Sequence, residues 1–190
     1  MISGDWRNFD PQQDQGLPPL VQGWVGLETS MTAAVGRAAG GAIDVTVRRQ
    51  EDGPLNPDEA GFFPEGGPAT LREVCLSHAD EPLLIARTVF TSDILRTHPR
   101  IVELGTRPLG SLLFAGERPS PWTARQFSHI RPGAPLFPLI RWRHAGPETG
   151  YWARRTLFHL FDAPLLVTEI FLPALLAKPG AEQALIERPT

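Results

Sequence analysis

Apolar residues recur at every second position in five stretches of this chain and at helical spacing in two others. Residues 42–49 (AIDVTVRR), 70–77 (TLREVCLS), 82–90 (PLLIARTVF), 150–161 (GYWARRTLFHLF) and 164–173 (PLLVTEIFLP) follow the two-residue period of strands. The short connections HADE (78–81) and DAP (162–164) predict two hairpins. Residues 21–40 are helical in pattern but restart midway, where Thr29 or Ser30 can N-cap a second helix that begins at Met31 and ends at Gly40-Gly41. A third, short helix is expected in GTRPLGSLLFAG, with Pro108 at its first position, its N-terminus near Leu109 and Gly116 as its stop. Residues 50–69 read as a loop, and 117–149, rich in proline and arginine, show only weak periodicity. The lead-in 1–19 and the tail 177–190 are expected to be irregular or frayed. Hairpins with two or three helices predict an α+β protein: a single antiparallel β-sheet of about six strands, helices covering one face, one domain over 1–190.

Three of these strands carry a charge where an apolar residue is expected. Glu169 shares a face with Leu165, Val167 and Phe171; Arg72 shares one with Val74 and Leu76; Arg87 shares one with Leu83, Ile85 and Val89. A buried charge costs several kcal/mol unless it is paired, so these groups are expected to meet each other or a ligand. A structural ion pair would satisfy Glu169 and one arginine, and leaves the second arginine over. A surplus guanidinium in an apolar pocket suits a small carboxylate, which it binds through paired charge-assisted hydrogen bonds. The free amides at the helix starts, Met31 and Leu109, suit the same ligand; singly each is explained by ordinary capping, together they suggest a pocket for an apolar ring bearing carboxylates.

Composition narrows the field. With 42% hydrophobic residues among 190, the chain can bury one substantial core. A formal charge of −3 gives no electrostatic reason to expect a nucleic acid or an anionic membrane surface as partner. The lone Cys75 excludes an internal disulfide and reads as a small core residue. The N-terminal MISGDWRNFDPQQDQG has no apolar run of a signal or transit peptide, and no stretch is long enough to span a bilayer, so a cytoplasmic protein without membrane insertion is expected. His78, His98, His129, His144 and His159 lack metal-ligand spacing, so no metal is expected, and no phosphate loop or GxSxG motif appears. Arg141, Arg143, Arg154 and Arg155 read as a solvated basic face, and the five tryptophans as core or pocket wall.

Four blocks, WVGLETSMT, LREVCLSHADEPLLIARTVF, LGTRPLGSLLF and YWARRTLFHLFDAPLLVTEIFLP, occur in an order and spacing that resembles the chorismate pyruvate-lyase family, over Trp24 to Pro173. The resemblance implies an α+β fold with flap-like helical segments over a buried ligand site. It implies a cofactor-free lyase that converts chorismate to 4-hydroxybenzoate and pyruvate, the first committed step of ubiquinone biosynthesis, with these small molecules as its partners and a monomer as its expected state. By the same resemblance Arg72 binds the ring carboxylate, Met31 and Leu109 contact the ligand through backbone N–H groups, Glu169 lies near the hydroxyl end of the ring, and Arg87 stands beside the site, where it would stabilise the departing carboxylate. Glu169 and Arg87 are thus the expected catalytic residues. Two features depart from the family: Ala86 stands where glycine is expected, and the segment 128–148 is longer than the usual connection. The rival expectation is a non-catalytic aromatic-acid sensor domain of the kind found in transcription regulators. The 23 residues before Trp24 are too few for a winged helix.

Overall fold

The computed structural model describes residues 5–13, 16–91, 94–95, 99–114, 120–146, 149–160 and 163–186. The expected stop at Gly116, as well as His98 and Asp162, lies outside them. The described strands are β1 (Arg7–Asn8), β2 (Asp44–Gly53), β3 (Ala69–His78), β4 (Glu81–Thr91), β5 (Trp122–Ile130), β6 (Tyr151–Leu160) and β7 (Ala163–Phe171). They form one antiparallel sheet in the order β1-β5-β6-β7-β4-β3-β2. The β3–β4 hairpin turns on two residues, Ala79 and Asp80, both with positive φ (48° and 64°), the conformation that matches the twist of the flanking strands.

Register decides which side chains share a face. One row across the sheet runs Val74, Ala86, Glu169, Arg154, Phe127 and Arg7; the next runs Gln50, Arg72, Thr88, Val167, Thr156 and Arg125. Both rows lie on the face covered by α1 (Pro19–Gly26), α2 (Met31–Ala39), α3 (Gly110–Leu113), α5 (Pro173–Leu176) and α6 (Gln183–Ile186). Trp24, Val25, Ala34 and Val35 of the first two helices are fully buried there against Leu84, Phe127 and Phe171.

The expectation that helices cover one face is incomplete, because the other face is covered too. There α4 (Phe137–Arg141) sets Phe137, Leu139 and Ile140 against Cys75, Ile85, Ala153 and Ile170. The loop before β3, with a 3-10 turn at Ala60–Phe62, lays Phe63 on Leu71 and Val89 beside it. Strands buried on both faces read as near-continuous apolar runs, as β7 does.

Local chemistry accounts for the helix ends. Ser30 Oγ accepts the Ala33 N–H at 3.3 Å, and Gly40 (φ 73°) closes α2 by donating to Arg37 O while Gly41 donates to Gly36 O. The tail is less frayed than expected: Arg37 Nη2 donates to Ala184 O at 2.9 Å, and Ala181 and Ala184 are buried against α2. In the lead-in, Arg7–Asn8 pairs with β5. The weakly periodic 117–149 holds β5 and α4, and Trp122 lies exposed rather than in a core.

Candidate active site

Between the helices of this face and the sheet lies a narrow, partly enclosed pocket. Val74, Leu76, Leu84, Ala86, Val167 and Phe158 form its floor from the sheet; Met31, Leu109, Leu113 and Phe114 form its roof from α2 and α3. Only three charged side chains reach it among the described residues: Arg72, Arg154 and Glu169.

Arg72 is 3% exposed. Its Nη1 donates to Gln50 Oε1 at 2.7 Å, and its Nη2 to the carbonyls of Gly105 (2.9 Å) and Arg107 (3.2 Å). These oxygens fix the guanidinium but are neutral, and among the described residues no carboxylate pairs with it. Burial alone therefore presses its pKa below the ordinary arginine value. The same two carbonyls tie the segment that leads into Leu109 to the sheet.

Glu169 stands directly across from Arg154 on the neighbouring strand, and Arg154 Nε donates to Glu169 Oε2 at 2.5 Å. Arg154 Nη1 reaches the other way, to the carbonyls of Leu27 (2.7 Å), Trp24 (3.3 Å) and Val25 (3.4 Å). Arg125 Nη1 adds a bond to Gly26 O at 3.2 Å. Helix α1 has no basic residue in its own last turn and no glycine cap, so two arginines from the sheet satisfy its orphan carbonyls and the negative end of its dipole. The pKa of Arg125 falls to about 10, chiefly through burial and then through the like charge of Arg154. One arginine thus links the pocket carboxylate to the turn that delivers Met31.

Met31 opens α2 and Leu109 precedes α3, so their amides have no acceptor within their own helices. The two turns come together: a Cβ added to Gly110 would stand 2.9 Å from Ser30 Oγ, so a side chain there would displace the hydroxyl that caps α2. Met31, Leu109, Arg72 and Glu169 therefore all line one cavity.

Arg87 does not join them. It faces the opposite side of the sheet, where Nε and Nη2 donate to the two oxygens of Glu59 (2.8 and 2.9 Å) and Nη1 donates to Glu73 Oε1 at 2.7 Å. Glu73 also takes bonds from Arg48 and Arg49. Arg87 is a structural cation of that network and has no access to the pocket. Arg154 and Arg155, expected on a solvated face, are both buried: Arg154 in the pocket, Arg155 on the far face between the rings of Trp6 (4.3 Å) and Phe62 (4.8 Å) and paired with Asp58. Arg141 and Arg143 are exposed. Arg154 was legible in principle, because counting back from the Leu160–Ala163 pair places it opposite Glu169. Among the described residues no three His, Cys, Asp or Glu side chains gather as a metal site.

The model of the chorismate lyase family matches residues 5–181. A protein of Methylococcus capsulatus named "Probable chorismate pyruvate-lyase" is 36% identical over 169 residues, covering 84% of this chain and 98% of its own length. The chorismate pyruvate-lyase of Hamiltonella defensa is 31% identical over 175 residues, 90% of this chain and 86% of that protein. Among solved structures, the effector domain of PhnF from Mycobacterium smegmatis is similar with a TM-score of 0.52 at 12% identity, over 73% of this chain and 86% of that one. At that identity the likeness concerns the fold alone. By the family match and the identity of these relatives, the chain belongs to the chorismate lyase family.

Proposed function

We propose that this protein is a lyase that converts chorismate to 4-hydroxybenzoate and pyruvate in the pocket between α2, α3 and the sheet. Family membership supports the reaction; the observation that carries the site is Arg72, a buried cation in an apolar cavity with no carboxylate of the described residues paired to it. The ring carboxylate of chorismate supplies the missing anion, joined by the amides of Met31 and Leu109 from the roof. The ring then lies on the apolar floor, and its C4 hydroxyl donates to Glu169, whose Oε2 is held by Arg154 and whose Oε1 remains to accept.

In the reaction the C3–O ether bond breaks and C4 loses its proton. The enolpyruvyl fragment gains a proton and leaves as pyruvate, and the ring becomes aromatic, which supplies the driving force. What the protein contributes is one reactive conformer held at both ends. Well-oriented reactions gain up to about 7–11 kcal/mol in this way. The rival is a non-catalytic aromatic-acid binding domain. Purified protein mixed with chorismate, without nucleotide or added metal, decides between them: release of pyruvate at a rate above the spontaneous one is expected, and binding without pyruvate would leave the sensor.

A further inference from the structure

The charges on the pocket face of the sheet do not balance within the protein. Arg72, Arg125 and Arg154 are each at least 94% buried there, and Glu169 is the carboxylate they share among the described residues. The hydrogen-bond partners of Arg125 are neutral, Thr156 Oγ1 and Gly26 O, and it also meets the face of Trp122 at 4.5 Å and the charges of Glu169 and the exposed Glu28. Arg125 does not line the cavity; the two cations that do are Arg72 and Arg154, and chorismate carries two carboxylates. Arg72 accounts for the one on the ring. An unpaired carboxylate transferred from water to an apolar cavity costs several kcal/mol, so the second also needs a cation.

Arg87 is on the wrong face to serve. Arg154 is the other cation that lines the cavity. Its Nε is committed to Glu169 and its Nη1 to the α1 carbonyls, while Nη2 makes no hydrogen bond among the described residues. Arg72 and Arg154 reach the cavity from β3 and β6, with β4 and β7 between them, and the intervening floor is made of small side chains, Ala86, Thr88 and Val167. A ligand with an anion at either end is accommodated between them.

We infer that Arg154 binds the enolpyruvyl carboxylate of the substrate through its Nη2 edge, while Arg72 holds the ring carboxylate. The assignment rests on the lyase reading for the name of the ligand. In physical terms it states that the pocket takes aromatic or cyclohexadiene dicarboxylates better than monocarboxylates. After the ether bond breaks, pyruvate carries its charge away from Arg154, and 4-hydroxybenzoate keeps its own on Arg72.

The test is an affinity ratio at equilibrium, measured by titration calorimetry with 4-hydroxybenzoate and with the stable dicarboxylate 3-(carboxymethoxy)-4-hydroxybenzoate. Loss of one charge-assisted bond corresponds to about a 10- to 100-fold change. In Arg154→Gln the preference for the dicarboxylate should fall by about that factor relative to the parent, whereas general damage to the pocket weakens both ligands together and leaves the ratio alone. Should Arg154→Gln fail to fold, the double variant Arg154→Gln/Glu169→Gln removes both members of the buried pair and is read the same way. An unchanged ratio overturns the assignment. A parent that binds both ligands and releases no pyruvate from chorismate sinks the lyase reading instead, and the ratio still judges Arg154.

Discussion

Arg72 and Arg87 sit one register position apart on adjoining strands, yet their guanidinium groups lie on opposite faces of the sheet. The cause is one residue. From the hairpin turn, His78 pairs with Glu81 and Ser77 with Pro82, a register that continued unbroken would set Arg72 against Arg87. The next pair is Leu76 with Leu84, so Leu83 is extra, and its carbonyl takes the Leu172 N–H at 3.1 Å instead. Beyond this bulge Arg72 pairs with Thr88 and Glu73 with Arg87. A slip of one residue exchanges the two faces of a strand, and here it sends Arg72 to the pocket and Arg87 to a buried ion network.

Arg87 should therefore behave as a structural residue. Its removal leaves Glu59 and Glu73 buried with fewer partners, which costs about 3–5 kcal/mol. Arg87→Met is expected to lower the urea midpoint by a corresponding amount while kcat and KM per folded molecule stay near those of the parent. A folded Arg87→Met with normal stability and no turnover would contradict this.

The same network makes stability depend on acid. Burial alone would push the Glu73 carboxyl up, but hydrogen bonds from Arg49 and Arg87 outweigh it and hold the group below the usual carboxylate range. A pKa depressed in the folded state contributes stability above the unfolded value, roughly 4.3, and that contribution disappears as pH falls through the folded value. Urea midpoints should thus drop steeply below about pH 4. Glu73→Gln, less stable at neutral pH, should show a flatter decline over that interval. Parallel curves for the two proteins would place the acid sensitivity elsewhere.

Much of the pocket was legible because it lies on strands whose period is plain: Arg72 and Glu169 break apolar runs, and Ser30 and Pro108 announce the turns that carry Met31 and Leu109. What the pattern does not carry is register. The bulge at Leu83 has no local signature in PLLIARTVF, and it reversed the face of Arg87. Arg154 and Arg155 are neighbours and so point to opposite faces, a clustering that resembles a solvated run until both faces are known to be covered. Strand β5, WTARQFSHI, mixes polar and apolar residues on both sides. Its strand character depends on β6 beside it rather than on its own period.

Ligand charge should matter more than ligand shape at Arg72. Burial destabilises that cation, and an anion bound to it relieves the penalty. At 100 times its Kd, 4-hydroxybenzoate should add about 2.7 kcal/mol of stability, or about 5–10 °C in Tm for a chain of this size. The neutral 4-hydroxybenzamide should give little shift, and Arg72→Ala should lose the response to the acid. Equal shifts from acid and amide in the parent would remove Arg72 from the anion site.

Substitution of Glu169 should separate the reaction from binding. Glu169→Gln keeps the shape and an acceptor oxygen but removes the charge that Arg154 Nε meets at 2.5 Å. Turnover of chorismate should fall by about 10²- to 10⁴-fold, the range for a group that positions or moves a proton, while 4-hydroxybenzoate binds within about tenfold of the parent. Comparable small losses in both would reduce Glu169 to a pocket wall.

Ala86 controls the space. It stands in register between Val74 and Glu169 on the pocket floor, and its backbone is engaged on both sides by β3 and β7, so the strand does not depend on its side chain. A larger residue there projects into the cavity, the proposed place of the ligand, rather than into packed core. Ala86→Leu should accordingly lower affinity for 4-hydroxybenzoate and kcat/KM for chorismate by at least about 100-fold, with a change in Tm of only a few degrees, because the added methyl groups occupy the ligand's volume and meet apolar neighbours. Ala86→Ser, nearly isosteric, should leave both constants within a few-fold. If Ala86→Leu binds 4-hydroxybenzoate as the parent does, the ring does not rest on this part of the sheet, and the placement of Glu169 at its hydroxyl end fails with it.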